Sequence, residues 1–167
     1  MISRNFLSDI FMILLLASFQ VFVLNRLLIF GRYTPVMYPL FVMFYRFYAN
    51  KYAFLTLSFI LGLLIDIYQG TWGINSFATT AVAYFRTLIF CTSTDTQDFF
   101  SFHDLQPSQF WAYIFFTIFL HQLIVMYLEF FKLSRFFEIL FNVSVSSSIS
   151  FIFILLYAIA FRIKQNT

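Results

Sequence analysis

Long apolar runs alternate with short polar links along the whole chain. The runs cover residues 6–24, 35–48, 52–67, 74–92, 110–131 and 139–161. Four of the six have 19 or more residues, which at about 1.5 Å of helical rise each approaches the roughly 30 Å hydrocarbon thickness of a bilayer. This pattern predicts an all-α polytopic membrane protein.

The second run is the shortest and the least secure as a span. It has 14 residues, or about 21 Å as a helix, so we expect a short or tilted crossing or a half-span. The third run, 52–67, reaches a full span if its helix continues through Gln69. We predict one integral membrane domain over residues 1–167 with six transmembrane helices, the first of them, 6–24, an uncleaved span.

Basic residues at the ends of the runs predict the orientation only weakly. With six crossings and a cytoplasmic N-terminus, six Lys and Arg residues lie inside and four outside. If run 35–48 does not cross, five crossings with the N-terminus outside place seven inside and three outside. We keep six crossings because the uncharged stretch 36–44 has to lie in lipid or in protein.

The composition agrees with the pattern and excludes several classes of protein. Of 167 residues, 62% are hydrophobic and 10% are charged, against about 25% charged in soluble domains. The net charge of +3 comes from scattered basic residues, which does not indicate nucleic-acid binding. Cys91 is the single cysteine, so an internal disulfide and a cysteine metal cluster are both excluded.

The stretch 62–75, GLLIDIYQGTWGIN, holds three of the four glycines and a carboxylate, Asp66. Gly62, Asp66 and Gly70 follow one another at four-residue spacing, so they share a helical stripe on which another backbone can approach closely. A helix beginning after Gly73 presents unsatisfied amides, which Asp66 can accept. We predict that Asp66 closes a helical hairpin, with a ligand or partner contact as the alternative.

Arg86 is the obvious ionic partner for Asp66, but the depths of the two residues differ. Asp66 lies about 5 residues from the turn and Arg86 about 15, a difference of roughly 15 Å along an antiparallel hairpin. We therefore predict that the two do not meet and that Arg86 extends to the membrane interface.

Other polar residues within or near the runs are assigned to packing or to solvated ends. Ser144 and Ser148 mark a candidate helix-packing face on the last run. We expect His121 to be a hydrogen-bonded histidine inside the bundle, and Glu129 to pair with Lys132 or Arg135. The link 93–108, with Asp95, Asp98, His103 and Asp104, is predicted to be a solvated turn at the interface, and its spacing matches no standard metal-ligand pattern.

No sequence pattern points to catalysis. The chain contains no G-x-S-x-G, no H-E-x-x-H, no phosphate-binding loop and no dinucleotide fingerprint. We therefore expect a protein that is not an enzyme and that uses no metal and no cofactor.

The central stretch resembles the bacterial rod shape-determining protein MreD family. That family carries a G-L-x-x-D-x-x-x-G-x-x-G-like signature at the end of one span, and the matching positions here are Gly62, Leu63, Asp66, Gly70 and Gly73. The following helix bears small residues, as in the family: Ala78, Ala81 and Ala83.

The resemblance implies a non-enzymatic scaffold subunit in the bacterial inner membrane. Such a subunit binds a bitopic MreC-like protein and belongs to the cell-elongation complex with MreB filaments and peptidoglycan synthases. The family is similar in fold to the substrate-binding S components of energy-coupling-factor transporters, a six-helix bundle. Capture of a small vitamin-like ligand for uptake is therefore the alternative function, although no strongly polar outer loop is present to form its pocket.

Overall fold

A computed structural model describes residues 4–45, 50–91, 106–130 and 136–165. Within these ranges the chain forms helices and no β-strand, which confirms the all-α prediction. The helices are α1 (Arg4–Phe22), α2 (Leu40–Phe44), α3 (Lys51–Gln69), α4 (Ile74–Cys91), α5 (Pro107–Phe130) and α6 (Phe136–Gln165), with a 3-10 turn at Leu24–Arg26 after α1. The predicted interfacial link, apart from its last residues 106–108, and the partners predicted for Glu129 lie outside the described residues.

The protein is a polytopic membrane protein. Four stretches in the described ranges are long and apolar enough to cross a bilayer: Leu7–Arg26, Lys51–Gln69, Ser108–Phe130 and Phe137–Leu156. Helix α4 is 18 residues long, or about 27 Å, and carries more buried polar residues than any of the four long helices α1, α3, α5 and α6. It packs between α3 and α5, so its polar groups face protein.

The second apolar run forms a crossing that is only partly helical. Its helical part, α2, has five residues and a length of about 7.5 Å, so it cannot cross a bilayer alone. Pro35 and Pro39 explain the interruption, because proline removes a backbone donor and disfavours helical geometry in the preceding residue. The second crossing is short, as predicted, but it is a broken segment and not a tilted helix.

Residues 33–45, here called the central segment, pass through the depth of the bundle. At one end, the carbonyl of Pro35 accepts a hydrogen bond from Gln20 of α1, and at the other the Tyr45 hydroxyl donates to Asp9 of the same helix. Gln20 and Asp9 are 11 residues apart, or about 16 Å along α1. We call the level of Asp9 and Tyr45 the Asp9 end of the bundle, and the level of Gln20 and Pro35 the Gly70 end.

The long helices surround the central segment in chain order. Helix α1 packs on α3, α3 on α4, α4 on α5 and α5 on α6. Residues 37–43 of the segment are all buried and contribute to two apolar clusters. One cluster joins Phe41 to α1, α3 and α4, and the other joins Met37 to α5 and α6.

Side chains from the surrounding helices satisfy the backbone of the central segment near the Gly70 end. Gln20 accepts from the amide of Met37 at 2.8 Å and donates to the carbonyl of Pro35 at 3.0 Å. The Ser150 hydroxyl of α6 accepts from the amide of Val36 at 2.9 Å. Non-helical backbone at membrane depth is tolerated only where such partners, or water, are present.

Arg86 performs the same function near the Asp9 end. Its guanidinium donates to the carbonyls of Val42, at 2.7 Å, and Tyr45, where α2 ends, and it lies 4.9 Å from the ring centroid of Phe54. The side chain is 5% exposed, so the prediction that it extends to the interface is wrong. The physical reason is that the carbonyls at the end of a short helix need donors, and Arg86 is a long cationic donor at their depth. Asp66 does not pair with Arg86, as predicted, because their hydrogen-bond partners lie at opposite ends of the bundle.

The contacts along α5 and α6 complete an alternating path. Tyr113, near the start of α5, reaches the carbonyl of Met43 at the Asp9 end. Near the start of α6, Asn142 accepts from the Tyr33 hydroxyl at the Gly70 end. Helix α6 therefore runs back toward the level at which α1 begins, which gives six passages through the bundle.

This path predicts that both termini lie on the same side of the membrane. Reporter tags that are active only in the cytoplasm or only outside it, fused in turn to each terminus, should give the same assignment. A tag within the loop between α4 and α5 should match them, and one in the α3–α4 turn should give the opposite assignment. Termini on opposite sides would contradict the six-passage path.

Candidate functional site

The α3–α4 hairpin is closed by a turn over residues 70–73. Helix α3 is capped by Gly70, which has a left-handed φ of 69°, and the amides of Gly70 and Thr71 both donate to the carbonyl of Asp66. Gly73 has a φ of 90°, after which α4 begins. Both glycines stand where an L side chain would be strained, which explains two of the three glycines in this stretch.

The Asp66 carboxylate accepts five hydrogen bonds across the hairpin. One oxygen, Oδ1, accepts from the Thr71 hydroxyl at 2.7 Å, the Asn75 amide at 2.9 Å and the Asn75 side chain at 3.1 Å. The other, Oδ2, accepts from the Ser76 amide at 2.7 Å and the Ser76 hydroxyl. These bonds satisfy amides in the first turn of α4, where the helix dipole favours a negative charge. Asp66 therefore joins the end of α3 to the start of α4, which is the geometry that closing of the hairpin requires.

Gly62 lets the two helices of the hairpin approach each other one turn deeper. A Cβ atom at this position would lie 2.5 Å from the Cα of Ser76 and 2.7 Å from the carbonyl oxygen of Asn75. Contacts this short with backbone do not occur, so no larger residue fits without separating the helices. Gly70 was predicted to serve the same purpose, but a Cβ there would meet nothing within 4 Å, so its function is the turn alone.

A chain of hydrogen bonds extends from Asp66 to helix α5. The Asn75 side chain donates to Asp66 through Nδ2 and accepts from the Tyr38 hydroxyl through Oδ1 at 2.7 Å. Because that hydroxyl has a single hydrogen, its oxygen accepts from Nε2 of His121 at 3.0 Å, and we assign the Nε2–H tautomer to this histidine. The chain therefore joins α3, α4, the central segment and α5.

Helices α5 and α6 carry three buried side-chain polar atoms that have no hydrogen-bond partner among the described residues. They are Nδ1 of His121, Nε2 of Gln122 and Oγ of Ser147, on side chains that are at most 4% exposed. With Nε2 protonated, His121 Nδ1 is an acceptor, while Gln122 Nε2 is a donor. His121 is thus hydrogen-bonded inside the bundle, as expected, but through only one of its two nitrogens.

The face marked by Ser144 and Ser148 does not pack inside the bundle. Ser144 is half-buried and its hydroxyl donates to the carbonyl of Leu140, while Ser148 is exposed and its hydroxyl donates to the carbonyl of Ser144. The inward side of α6 carries Ser146, Ser147 and Ser150. Ser144 and Ser148 therefore stay a candidate face for packing against another helix, because the described bundle uses a neighbouring stripe of serines on α6 for its internal contacts.

Sequence reasoning missed several residues of this polar region. Asn75 and Ser76 carry a recognisable signal, since both follow Gly73 directly and polar side chains are common at helix starts. Tyr38 and Gln20 carry none, because their partners are 37 and 15 residues away. In the part of the chain that the structure describes, no three His, Cys, Asp or Glu residues are grouped to hold a metal ion.

Comparisons with protein-family models, with curated proteins and with solved structures find no match to this chain.

Substitutions at Asp66 should separate hydrogen bonding from shape. Asp66→Asn keeps an oxygen acceptor but places a side-chain NH2 donor opposite at least one backbone or hydroxyl donor. This should lower the free energy of unfolding by about 1–3 kcal/mol. Asp66→Leu removes every acceptor and should be clearly more destabilising. Thermal unfolding and monodisperse yield in detergent measure both, and equal, wild-type-like values would contradict the hairpin-closing function.

Gly62→Ala should destabilise the protein although alanine is the better helix former. The added methyl overlaps the backbone of Ser76, and overpacking of this kind costs about 1–3 kcal/mol. Gly70→Asn is the matched control, because asparagine tolerates the left-handed conformation and the space around Gly70 is open. Unfolding temperatures should fall for Gly62→Ala and change little for Gly70→Asn; the reverse order would show that the close approach is unimportant.

Proposed function

We propose that this protein is a non-enzymatic scaffold subunit of the bacterial cell-elongation complex, of the MreD family, in the inner membrane. The observation that carries the proposal is the hairpin built from the signature positions Gly62, Asp66, Gly70 and Gly73. Each has a separate structural function in this hairpin. Gly62 lets the two helices approach closely and Asp66 binds the first amides of α4. Gly70 and Gly73 have positive φ in the turn between the helices. A motif in which each of these positions has a structural function supports the resemblance to the family better than the sequence match alone.

The outer surface of α6 supports binding of a partner helix. Ser148 is exposed and Ser144 half-buried, one turn apart on a side of α6 that the bundle leaves open. Small residues at this spacing let a second transmembrane helix come close, and their hydroxyl oxygens, which donate within α6, can still accept a hydrogen bond across the contact. The partner we propose is the membrane-spanning helix of an MreC-like bitopic protein, which in turn connects to MreB filaments and peptidoglycan synthases.

Such a subunit acts by positioning a partner protein and does not catalyse a reaction. The interior polar groups of the hairpin and central segment are mostly used to hold the bundle together, which makes it a rigid body with an apolar exterior. A rigid bundle that holds one partner helix in a defined orientation fixes where that partner's soluble domain lies. Loss of the subunit is then expected to mislocate peptidoglycan synthesis and to round rod-shaped cells.

Bulky substitutions on the α6 surface test the partner contact. Ser144→Leu combined with Ser148→Leu should reduce co-purification with the MreC-like protein by about tenfold, since polar contacts between transmembrane helices contribute about 1–2 kcal/mol in model peptides. Thr56→Leu, at an exposed position of α3, is the matched control and should leave co-purification unchanged.

The cellular readout follows the same variants. In a rod-shaped host lacking this protein, wild-type and Thr56→Leu chains should restore rod shape, and the double serine variant should not. Unfolding temperatures in detergent must be equal for the three proteins. Full co-purification and full shape restoration by the double variant would contradict the α6 contact.

A second candidate function is the capture of a small ligand, as in S components. The observation that favours it is the set of buried atoms without partners, His121 Nδ1, Gln122 Nε2 and Ser147 Oγ, on the two helices α5 and α6 that pack together. A small polar molecule with both donors and acceptors is what such a set binds. Native mass spectrometry of the purified protein should show a retained ligand that Gln122→Leu abolishes, together with association with an ATPase-driven module, if this function is the correct one.

A further inference from the structure

Two turns lie side by side just beyond the hydrocarbon-length spans at the Gly70 end. The spans Leu7–Arg26 and Lys51–Gln69 end at the same level, because Gln69 donates to the Asn25 side chain at 3.4 Å and the rings of Phe22 and Tyr68 meet edge to face. The residues that follow each span therefore enter the headgroup region of the bilayer.

Each turn presents an aromatic side chain outward from its tip. Phe30 is 85% exposed and Trp72 is 100% exposed. Both have positive φ, 53° for Phe30 and 21° for Trp72, in a region that bulky residues rarely adopt. A glycine adjoins each of them, at positions 31 and 73, so the chain uses glycine in these turns and yet retains aromatic residues at the strained positions.

Strained, fully exposed aromatic residues are unfavourable in water. Backbone conformations of this kind are unfavourable for bulky residues and persist where the local conformation serves a function. Tryptophan in particular is enriched at the membrane–water interface, where its ring lies at the level of the headgroups. The environment that compensates for the exposure of Phe30 and Trp72 is therefore the interfacial layer of the lipid.

Two cations adjoin the aromatic tips. Arg26 ends the first span and Arg32 lies in the same turn as Phe30, and both are exposed. The acidic group nearest in sequence to Trp72, Asp66, is buried and fully hydrogen-bonded. Glu129 and Glu138 lie at the same end, on α5 and α6.

We infer that Phe30, Trp72, Arg26 and Arg32 form a docking surface for anionic phospholipid headgroups, which holds the Gly70 end of the bundle at a fixed depth. The aromatic rings lie at the glycerol level, and the two arginines bind headgroup phosphates. This surface is distinct from the partner contact on α6 and does not depend on it.

Fluorescence of Trp72 tests the depth. The chain has two tryptophans, so Trp111→Phe leaves Trp72 as the single emitter, and the full-length protein is reconstituted in vesicles of phosphatidylethanolamine and phosphatidylglycerol. Bromine on the acyl chain next to the glycerol should quench Trp72 several-fold more than bromine near the chain end, and acrylamide in the water should quench it weakly. Acrylamide quenching as strong as for free tryptophan, or protection that appears only when a partner protein is added, would overturn the inference.

The arginines are tested by lipid preference. Brominated phosphatidylglycerol should quench Trp72 more than brominated phosphatidylethanolamine, and Arg26→Gln with Arg32→Gln should lower that preference by roughly fivefold for each arginine removed. Lys51→Gln, an exposed cation at the Asp9 end, is the control and should not change it. Equal quenching by the two lipids in the wild-type chain would overturn the headgroup assignment.

Phe30→Asn separates anchoring from folding. Asparagine tolerates the left-handed conformation, so the unfolding temperature in detergent should be unchanged or higher. In vesicles, the same variant should move Trp72 toward the water, seen as stronger acrylamide quenching. A lower unfolding temperature with unchanged Trp72 depth would show that Phe30 serves the fold alone and would overturn its part in the surface.

Discussion

The structure depends on one constraint, which is that a crossing without a continuous helix has to find partners for its backbone inside the protein. In hydrocarbon an unpaired amide or carbonyl costs several kcal/mol, so an interrupted segment is stable only when other helices supply donors and acceptors. Gln20, Ser150 and Arg86 supply them from α1, α6 and α4. The positions of three long helices are therefore tied to the path of residues 33–45, and the segment acts as the axis of the bundle.

The α3–α4 hairpin obeys the same constraint at a helix terminus. The first amides of α4 are buried against α3, where water cannot satisfy them, and the carboxylate of Asp66 takes that place. Gly62 makes this possible because the helices come close enough for one short side chain to reach both Asn75 and Ser76. Arg86 and Asp66 thus have equivalent functions of opposite charge: one binds carbonyls at the end of α2, the other binds amides at the start of α4.

Prediction from sequence succeeded for interactions between residues close together in the chain and failed for those between residues far apart. Asp66 and its glycines were predictable because donor, acceptor and turn lie within about fifteen residues, where helical geometry determines their relative positions. Arg86 was not, since the carbonyls it binds are more than forty residues away and become available only because α2 is short. Which serines of α6 face inward was unpredictable for a related reason: composition identified the helix as small and polar, but Ser150 faces inward to meet Val36 of the central segment.

The hydrogen bonds from His121 through Tyr38 and Asn75 to Asp66 all point in one direction, each group donating toward the carboxylate. Apolar helices in lipid can slide along one another by a turn with little change in buried surface, since lipid tails resemble leucine. Helix α5 cannot slide in this way without losing a bond, because a shift of one residue, about 1.5 Å, separates His121 from Tyr38. The series therefore sets the axial register of α5 against the hairpin, although most of the surface between the helices is apolar.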